Sequence, residues 1–470
     1  MGIRMTPSLK YLYSRFDSQH KLFLVAYWLL LLTLPFSLAV DLGSFQLQLP
    51  SEPLIILLAL LLCAIFWRER DLFFQLLRHP LTMAGVCYIA WMELGIAWST
   101  MPLVSVKYWL VTLAHWWVFF MGFAYLMHRM WERGSEGAKD WIPSFMLEWF
   151  SGYGLPFVLL MLYAWTVHAQ YDFSMDTSLL AARPFYFDHT MYSTCILFLL
   201  SLYLAGAWPP STLSIRQRYW SMGMSLLLVI GFYLSFCRAA WLSGLGVLGL
   251  WFLIAVLRFR FWHLLLTLGL VLVLGYFVLH TLQDRLPQNT FESKKGSLSA
   301  QILSIGNLTN DVSNLERLNR YSCAWRMAKD RPLTGFGAGT YPFQYLSYQL
   351  PEEMTRISVT TAGPHPPGRG GSTHSEYLRA LSELGWPGLL AFLAILLLSL
   401  YYGIQLYREA HQVAIRYWSL GLLLGLMSFF IHTLFNNFSH TDKVVLFFWS
   451  FQAALVVLNQ QQKNAAINAK

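Results

Sequence analysis

Long apolar runs separated by short polar segments make up most of the chain. Twelve such runs can be read from the sequence, at residues 22–40, 53–67, 80–98, 105–127, 150–168, 190–208, 219–236, 239–257, 262–281, 386–403, 415–434 and 443–459. A membrane-spanning helix needs about 20 predominantly apolar residues, and most of the runs reach that length. The run at 53–67 is short, so we expect it to extend into its flanks. The pattern predicts an all-α polytopic membrane protein with about twelve transmembrane helices.

The basic residues set the predicted orientation. With the N-terminus inside, the inner segments hold eighteen Lys and Arg residues, and the short outer segments hold four. Such an excess is typical of cytoplasmic loops. The four outer residues are Lys107, Arg183, Arg238 and Lys443. The chain is then predicted to comprise a cytoplasmic tail, nine spans, one long periplasmic segment, three more spans and a second cytoplasmic tail, at residues 1–21, 22–281, 282–385, 386–459 and 460–470.

Composition supports a membrane protein and argues against other classes. Hydrophobic residues make up 56% of the 470 positions and charged residues 12%, whereas soluble domains carry about a quarter charged residues. The net charge of +9 reflects orientation and attraction to anionic membrane lipids, so no nucleic-acid partner is expected. The five cysteines show neither metal spacing nor a disulfide framework, and we expect neither a metal nor a cofactor. The first apolar run is interpreted as a retained span rather than a signal peptide.

The most informative polar stretch is residues 368–388. It begins as a glycine-rich loop and is predicted to become a helix at Ser372 or Thr373, both good N-cap residues. Gly385 is expected to end that helix before the next span. His374 would then lie in the first helical turn, where anions bind and where a neutral imidazole could act as a base. A lone histidine is otherwise commonly structural.

Three neighbours of His374 have alternative interpretations. His365 lies among prolines and is expected to be solvated. Glu376 is two residues beyond His374, so in a helix it points elsewhere, and it is spaced for a salt bridge with Arg379 at i+3.

The outer arginines are the exceptions to the orientation rule. Arg238 is the single charge within residues 219–257, which fits two spans joined by a tight turn at 235–238. An arginine at such depth is costly and usually functional; the alternative is snorkelling to lipid headgroups. Arg183 is either a functional residue or a loop arginine paired with Asp188. His189 has a possible place in the site, but a capping or packing role is favoured.

Charged and glycine-rich features of the 282–385 segment have structural interpretations. Ser313 and Glu316 have capping-box spacing. The apolar face of the helix that follows is predicted to contain Leu318, Tyr321, Trp325 and Ala328. The glycines at 335–339 resemble a phosphate loop superficially, but no strand precedes them and no lysine follows, so a simple turn is favoured.

Fixed cations and a histidine on one face indicate a definite chemistry. Arginine recognises phosphate bidentately, and a diphosphate leaving group needs its charge neutralised in the transition state. A histidine can take the proton of an incoming hydroxyl. Lys107 and Lys443, at span ends, are expected to be anchors.

The motif also resembles a known family. His374-Ser375, nine residues, then Gly385-Trp-Pro-Gly388 resembles the signature of bacterial O-antigen ligases, which is a histidine, then Asn, Ser or Gln, nine residues and a Gly-x-x-Gly type ending. Residues 320–337 are similar to the segment that precedes this motif in the wider ligase and polymerase superfamily.

The resemblance implies a GT-C-like glycosyltransferase of the bacterial inner membrane with a periplasmic active site. It would move a glycan from undecaprenyl diphosphate to a lipid A-core hydroxyl without a metal. His374 would be the base, Arg183 and Arg238 would bind the donor diphosphate, and Ser375, Gly385 and Gly388 would complete the motif. The residues predicted to support the site are His189, Arg320, Glu376 and Arg379.

Two other functions remain open from the sequence. A polysaccharide polymerase of the same superfamily would use the same site with a second lipid-linked glycan as acceptor. A transporter is less favoured, because paired broken helices and further charges at mid-membrane are not evident.

Overall fold

The computed structural model describes residues 7–41, 43, 46–134, 141–174, 180–208, 212–267, 269, 312–353 and 371–468. The prediction that His365 is solvated lies outside these residues, as do most of the predicted ninth span and most of residues 282–311. The helices that define the fold are numbered here along the chain as α1 (Pro7–Arg15), α2 (Ser18–Thr33), α3 (Ser51–Arg68), α4 (Arg70–Leu77), α5 (Pro80–Gly95), α6 (Pro102–His115), α7 (Phe123–Gly134), α8 (Trp141–Ala169), α9 (His189–Ala207), α10 (Ile215–Leu234), α11 (Arg238–Trp251), α12 (Val312–Asp330), α13 (Tyr341–Gln344), α14 (Glu376–Glu409), α15 (Val413–His432) and α16 (Asp442–Asn468).

Shorter elements join these helices. Two π-helical turns, Trp116–Gly122 and Phe252–Val256, continue α6 and α11. The sequence pattern did not predict the antiparallel hairpin between α2 and α3, in which β1 (Leu38–Asp41) pairs with β2 (Gln46–Leu49).

Within the described residues, ten helical stretches are long and apolar enough to cross a membrane. They coincide with ten of the predicted runs, and the all-α polytopic membrane fold is confirmed. α10 occupies the predicted seventh run and has 20 residues, but Arg216 and Arg218 in its first turn keep it outside those ten. The count of twelve stays a prediction.

The centre of the bundle is α16, whose spanning window is 94% buried. Small residues let α15 approach α9 closely: a Cβ added to Gly421 would lie 2.7 Å from Cβ of Ala205 and 3.0 Å from the Ser201 carbonyl oxygen. Aromatic rings fill the space beside this contact, with Phe198 stacked on Phe447 at 5.4 Å between centroids. The close crossing fixes the N-terminal end of α9 and the C-terminal end of α15 relative to one another.

Lys443 is part of this packing and not the headgroup anchor that its position suggested. It is 5% exposed. Its ammonium donates to the carbonyl oxygens of Pro35 (3.2 Å) and Ser37 (2.9 Å), and also to that of Phe185. The residue therefore ties α16 to the segment after α2 and to the loop before α9, because three carbonyls replace the water that a buried ammonium loses.

α14 is interrupted where the sequence predicted a helix end. Gly385 has φ of 69° and ψ of −171°, a conformation that favours glycine. The amide of Trp386 donates to the carbonyl of Pro332 at 2.8 Å, so the helical ladder is broken and then resumes. The segment before the break carries the motif residues, and the segment after it forms a membrane span.

The helix α12 differs from its prediction. It begins at Val312, one residue before Ser313, and Glu316 binds Arg320 at 2.7 Å. Trp325, predicted on the packed face, is 45% exposed, whereas Cys323 is fully buried. The buried face includes a charged pair, which apolar periodicity could not reveal.

Candidate functional site

His374 lies just before α14 and not within it. The helix begins at Glu376, with Ser375 as its N-cap, so the predicted caps Ser372 and Thr373 are wrong. The Thr373 hydroxyl lies within hydrogen-bonding distance of the Ser375 carbonyl (2.9 Å) and of Asn437 Oδ1 (3.0 Å). It therefore binds these groups and does not cap α14. His374 has φ of 54°. A non-glycine residue in this region is uncommon and strained, a feature that clusters at functional sites.

The loop that connects α15 and α16 holds the His374 backbone in place. The amide of Glu376 donates to the Thr433 carbonyl at 3.0 Å. The Tyr321 hydroxyl of α12 is 2.7 Å from the Leu434 carbonyl and 3.3 Å from that of His374. Contacts from α12 and from the loop between α15 and α16 therefore hold His374 in its strained backbone conformation.

His374 is uncharged at neutral pH. Its pKa is lowered to about 4, chiefly because burial disfavours the imidazolium and then because Arg317 and Arg320 lie close by. The carboxylates of Glu316 and Asp188 oppose this shift. The structure thus places a neutral imidazole in a positively charged environment.

Arg320 lies beneath the loop that leads to His374. It is 3% exposed, its Nε donates to Glu316 at 2.7 Å, and its guanidinium lies 4.0 Å from the Tyr345 ring centroid. Gly371, at φ of 54°, rests on the guanidinium, where an added Cβ would be 2.7 Å from Nη2. The supporting role of Arg320 stays a prediction. The contact indicates that Gly371 positions the loop before His374 on the Arg320 guanidinium.

The turn between α10 and α11 reaches the same end of the bundle. α10 ends at Leu234 and α11 begins at Arg238, so the tight turn predicted at 235–238 is present. Cys237 Sγ is 3.8 Å from Nε2 of His432, and both residues lie within electrostatic range of Arg317. Arg238 is half-buried and follows Cys237 as the first residue of α11.

His189 and Asp188 bring α9 to the same place. Asp188 caps α9, accepting from the amide of Thr190 at 2.9 Å, and lies within electrostatic range of His374. His189 is the first residue of α9 and lies within electrostatic range of His432. The cap predicted for His189 is thus supplied by Asp188.

Arg183 is placed differently. It is exposed, and its Nε donates to the Phe187 carbonyl at 2.9 Å. Its guanidinium lies 5.1 Å from the Phe187 ring centroid. The predicted alternative of pairing with Asp188 is wrong, because that carboxylate caps α9. Among the described residues, the side-chain contacts of Arg183 lie within its own loop.

Glu376 and Arg379 form a buried network behind the motif. Arg379 binds Glu376 at 2.7 Å and Glu383 at 3.1 Å, and the i+3 pair expected from the sequence is present. Glu376 Oε1 also accepts from the amides of Phe438 (2.6 Å) and Ser439 (2.8 Å). Neither residue is more than 5% exposed. Their arrangement suits positioning of α14 against the loop after α15.

Glu383 extends the network to the glycine-rich turn. Its carboxylate accepts from the amides of Gly339 (2.9 Å) and Tyr341 (3.0 Å). The three glycines of this turn, Gly335, Gly337 and Gly339, all have positive φ. The amides that would face a phosphate are bound to a carboxylate of the same chain, and the interpretation as a simple turn holds.

The site elements lie largely within one matched segment. Residues 223–393 match the sequence model of a family described as O-antigen ligase. This match covers about a third of the chain and supports an O-antigen ligase family assignment. The match runs from α10 through the motif into α14, and therefore includes Arg238, Arg320, His374 and Glu376. A search of curated proteins found no match. The family's members are membrane glycosyltransferase-like enzymes that are ligases or polymerases, and this chain is a multi-pass bacterial membrane protein.

Three residues of the candidate site were missed by sequence reasoning. Arg317 precedes Arg320 by three positions, a helical spacing that could have flagged it. His432 is an ionisable residue inside the predicted run 415–434, and Asn437 lies in the polar stretch that follows it. A polar residue within or next to a span is itself a signal in a membrane protein. His432 Nδ1 is 2.9 Å from the Thr194 hydroxyl. That hydroxyl also lies 2.7 Å from the Thr190 carbonyl oxygen, so it links the ring of His432 to the first turn of α9.

The candidate site combines arginines with the imidazole of His374. His432 is fully buried and engaged at both ring nitrogens, whereas His374 is half-buried. Groups of three or more His, Cys, Asp or Glu residues suited to a metal ion are absent from the described residues. The arrangement suits binding of an anionic group next to a proton acceptor.

Proposed function

We propose that the protein transfers a glycan from undecaprenyl diphosphate to a hydroxyl of lipid A-core, at the periplasmic face of the inner membrane. The observation that carries this proposal is a neutral His374 beside Arg317 and Arg320 within the matched segment. The match to the ligase family model supports glycosyl transfer as the reaction class, and the cations suit a diphosphate leaving group.

His374 acts as the general base in this proposal. The acceptor oxygen attacks the anomeric carbon, the bond between that carbon and the diphosphate oxygen breaks, and the acceptor proton moves to His374. The leaving undecaprenyl diphosphate keeps the electron pair of the broken bond. Arg238 and Arg317 stabilise the charge that develops on it, and Arg183 is proposed to meet the donor from the loop before α9.

Donor binding would raise the pKa of His374. The pKa of free His374, about 4, is too low for effective proton abstraction at neutral pH, since bases work best near the operating pH. A diphosphate paired with Arg317 would offset the positive field that contributes to this low pKa. The pKa of His374 then rises once the donor is bound, so the base becomes stronger in the complex that needs it.

Reconstitution tests the proposal. Purified protein in vesicles is supplied with undecaprenyl-diphosphate glycan and either lipid A-core or a second lipid-linked glycan as acceptor. We expect glycan-modified lipid A-core, and the same product in the presence of a chelator. Extension of the lipid-linked glycan instead would identify a polymerase and overturn the choice of acceptor. His374→Gln, which retains a hydrogen-bonding side chain without a base of comparable strength, is the matched inactive control.

A further inference from the structure

Three arginines lie around Tyr407 at the end of the bundle opposite the candidate site. Arg258 follows α11 and its π-helical turn, Arg408 lies in the last turn of α14, and Arg416 lies in the first turn of α15. All three lie within electrostatic range of the Tyr407 side chain. Since α15 has 20 residues at about 1.5 Å each, the cluster lies about 30 Å from His432 and the candidate site. It therefore belongs to a different part of the molecule.

Backbone carbonyls hold two of the three guanidinium groups in place. Nη2 of Arg408 donates to the Arg258 carbonyl at 2.7 Å, and Nε of Arg416 donates to the Ala410 carbonyl at 2.6 Å. A guanidinium has five N–H donors, so both groups keep further donors for a ligand. Arg258 has φ of 54°, a strained conformation for a residue other than glycine, and Arg408 fixes its carbonyl there. Specific contacts between α14, α15 and the segment after α11 therefore bring the three charges together.

The positive charge of this cluster is not balanced by a carboxylate of the described residues. None of the three arginines forms an ion pair with them. Glu409, the acidic residue next to Arg408, is exposed and accepts from the Gln405 side-chain amide at 3.1 Å. The N-terminus of α15 adds positive potential, since its N-cap Gln412 makes no side-chain cap and its first turn contains no acidic residue. Because all three arginines are at least partly exposed, an anion from outside the chain can reach them.

The cluster lies at the depth of lipid headgroups. Three candidate spans begin or end beside it, namely Arg238–Val256, Glu376–Glu409 and Val413–His432, and each arginine lies within three residues of such an end. Leu257 and Trp262, on either side of Arg258 in the chain, are 48% and 70% exposed, which suits contact with acyl chains. Basic pockets between the ends of membrane helices bind phospholipid headgroups.

We propose that Arg258, Arg408 and Arg416 bind the phosphate of an anionic phospholipid. Guanidinium groups recognise phosphate bidentately. Three of them without a balancing carboxylate favour a lipid with a net negative charge over a zwitterionic one, whose own cation would meet the same arginines. One acyl chain lies along Leu257 and Trp262. The distribution of Lys and Arg predicts that this end of the bundle faces the cytoplasm, so the lipid belongs to the inner leaflet.

Native mass spectrometry of the full-length protein in mild detergent tests the assignment. Phosphatidylglycerol, phosphatidylethanolamine and phosphatidylcholine with identical acyl chains are added separately, and inorganic phosphate is added in a fourth series. We expect occupancy by one phosphatidylglycerol to exceed that of either zwitterionic lipid by about fivefold, the effect of one charge near a membrane surface. Equal occupancy by the three lipids would overturn the proposal. Inorganic phosphate that binds as tightly as phosphatidylglycerol would assign the site to a free anion and overturn the choice of a lipid.

Variants separate this site from general attraction to a basic surface. Arg258→Gln removes an exposed charge and should reduce phosphatidylglycerol occupancy about fivefold, whereas Arg258→Lys, which keeps the charge, should retain most of it. The matched control is Arg78→Gln, which removes an exposed arginine just after α4 and should leave occupancy unchanged. Equal occupancy in Arg258→Gln and Arg78→Gln would refute the site.

Arg408→Gln should act in the same direction as Arg258→Gln. Because it also loses the hydrogen bond to the Arg258 carbonyl, its melting temperature without added lipid is measured beside the occupancy. If that variant fails to fold, the Arg258 and Arg78 variants and the lipid series on the unaltered protein still decide the question.

Discussion

The backbone of Gly371 rests on the guanidinium of Arg320. Both features that make this possible are specific to glycine: φ is 54°, and an added Cβ would be 2.7 Å from Nη2 and 2.8 Å from Nη1. Because Arg320 is 3% exposed and bound to Glu316, it cannot move aside cheaply. The loop that carries His374 is thus set by a buried ion pair.

Gly371→Ala is expected to lower the transfer rate without unfolding the protein. The added methyl group displaces the loop and with it His374, and a shift of about 1 Å near reacting groups can cost about a hundredfold in rate. The measurement is rate per folded molecule, with Gly223→Ala as the control, since that helical glycine has nothing within 4 Å of its Cβ position. Equal rates in the two variants would remove the positioning role.

His374→Ala should abolish transfer at normal expression and membrane insertion. Loss of a general base costs about a hundredfold to ten-thousandfold. The variant is assayed in the reconstituted system beside His411→Ala, which removes an exposed histidine from the segment before α15. Wild-type rate in His374→Ala would rule out the base.

The pH dependence should reveal the coupling between donor and base. A base works only when unprotonated, so the rate falls as pH drops through its pKa, which is about 4 in the free protein. With donor bound, the offset of positive charge raises that pKa, and the acid limb should move to higher pH. The measurement compares pH profiles of kcat/KM for the donor, which reports the free protein, with kcat, which reports the complex. Coincident acid limbs would contradict the coupling.

Arg238 variants should separate charge from geometry. Arg238→Lys keeps the charge and loses the planar fork, so it should retain partial activity. Arg238→Ala should fall roughly 30- to 1000-fold, as expected for loss of about 2–4 kcal/mol of charge stabilisation. Arg260→Ala, an exposed arginine beyond the far end of α11, is the control. A normal dependence on donor concentration in Arg238→Ala would take this residue out of the donor site.

The network around Arg379 should matter mainly for stability. Glu383→Ala leaves Arg379 with one carboxylate fewer and two amides of the glycine turn unpaired. Removing one partner of a buried ion pair costs about 3–5 kcal/mol, so the melting temperature in detergent should fall clearly. Glu409→Ala, at the exposed C-terminal end of the same helix, should have little effect. An unchanged melting temperature in Glu383→Ala would show that the network is dispensable.

The orientation can be tested on α12. Cys323 is fully buried and is a poor probe, whereas Trp325 is 45% exposed. Trp325→Cys, in a background with Cys63 and Cys87 changed to serine, should react with a membrane-impermeant thiol reagent added to the periplasmic side. Reaction only from the cytoplasmic face of inverted vesicles would reverse the predicted topology.

Local signals in the sequence were sufficient for the spans and for the breaks between them. Gly385 could be identified because a helix end needs positive φ at one residue. The turn before Arg238 could be identified because the 39 residues 219–257, with a single charge, exceed one span. Both are decided by neighbouring residues alone. The resemblance of the motif, likewise local, predicted the family whose model matches residues 223–393.

The placement of His374 could not be predicted because distant residues decide it. Ser372 and Thr373 were the predicted caps, whereas the structure uses Ser375. That choice depends on Thr433 and Asn437 from a loop about sixty residues away. On the predicted packed face of α12, Ala328 is buried as expected, but Trp325 was misassigned for a similar reason. The buried face of this helix contains Arg320, whose burial is possible only because Glu316 and Tyr345 surround it.

The break at Gly385 divides α14 into two parts with different surroundings. The residues before it are fixed to the glycine turn and to the loop after α15, while those after it lie in the membrane. Membrane helices tilt when the thickness of the bilayer changes. Since the hydrogen-bond ladder is interrupted at Gly385 and Trp386 is tied to Pro332, we expect such tilting to be absorbed at the break. The geometry around His374 would then be insulated from the lipid composition of the membrane in which the protein works.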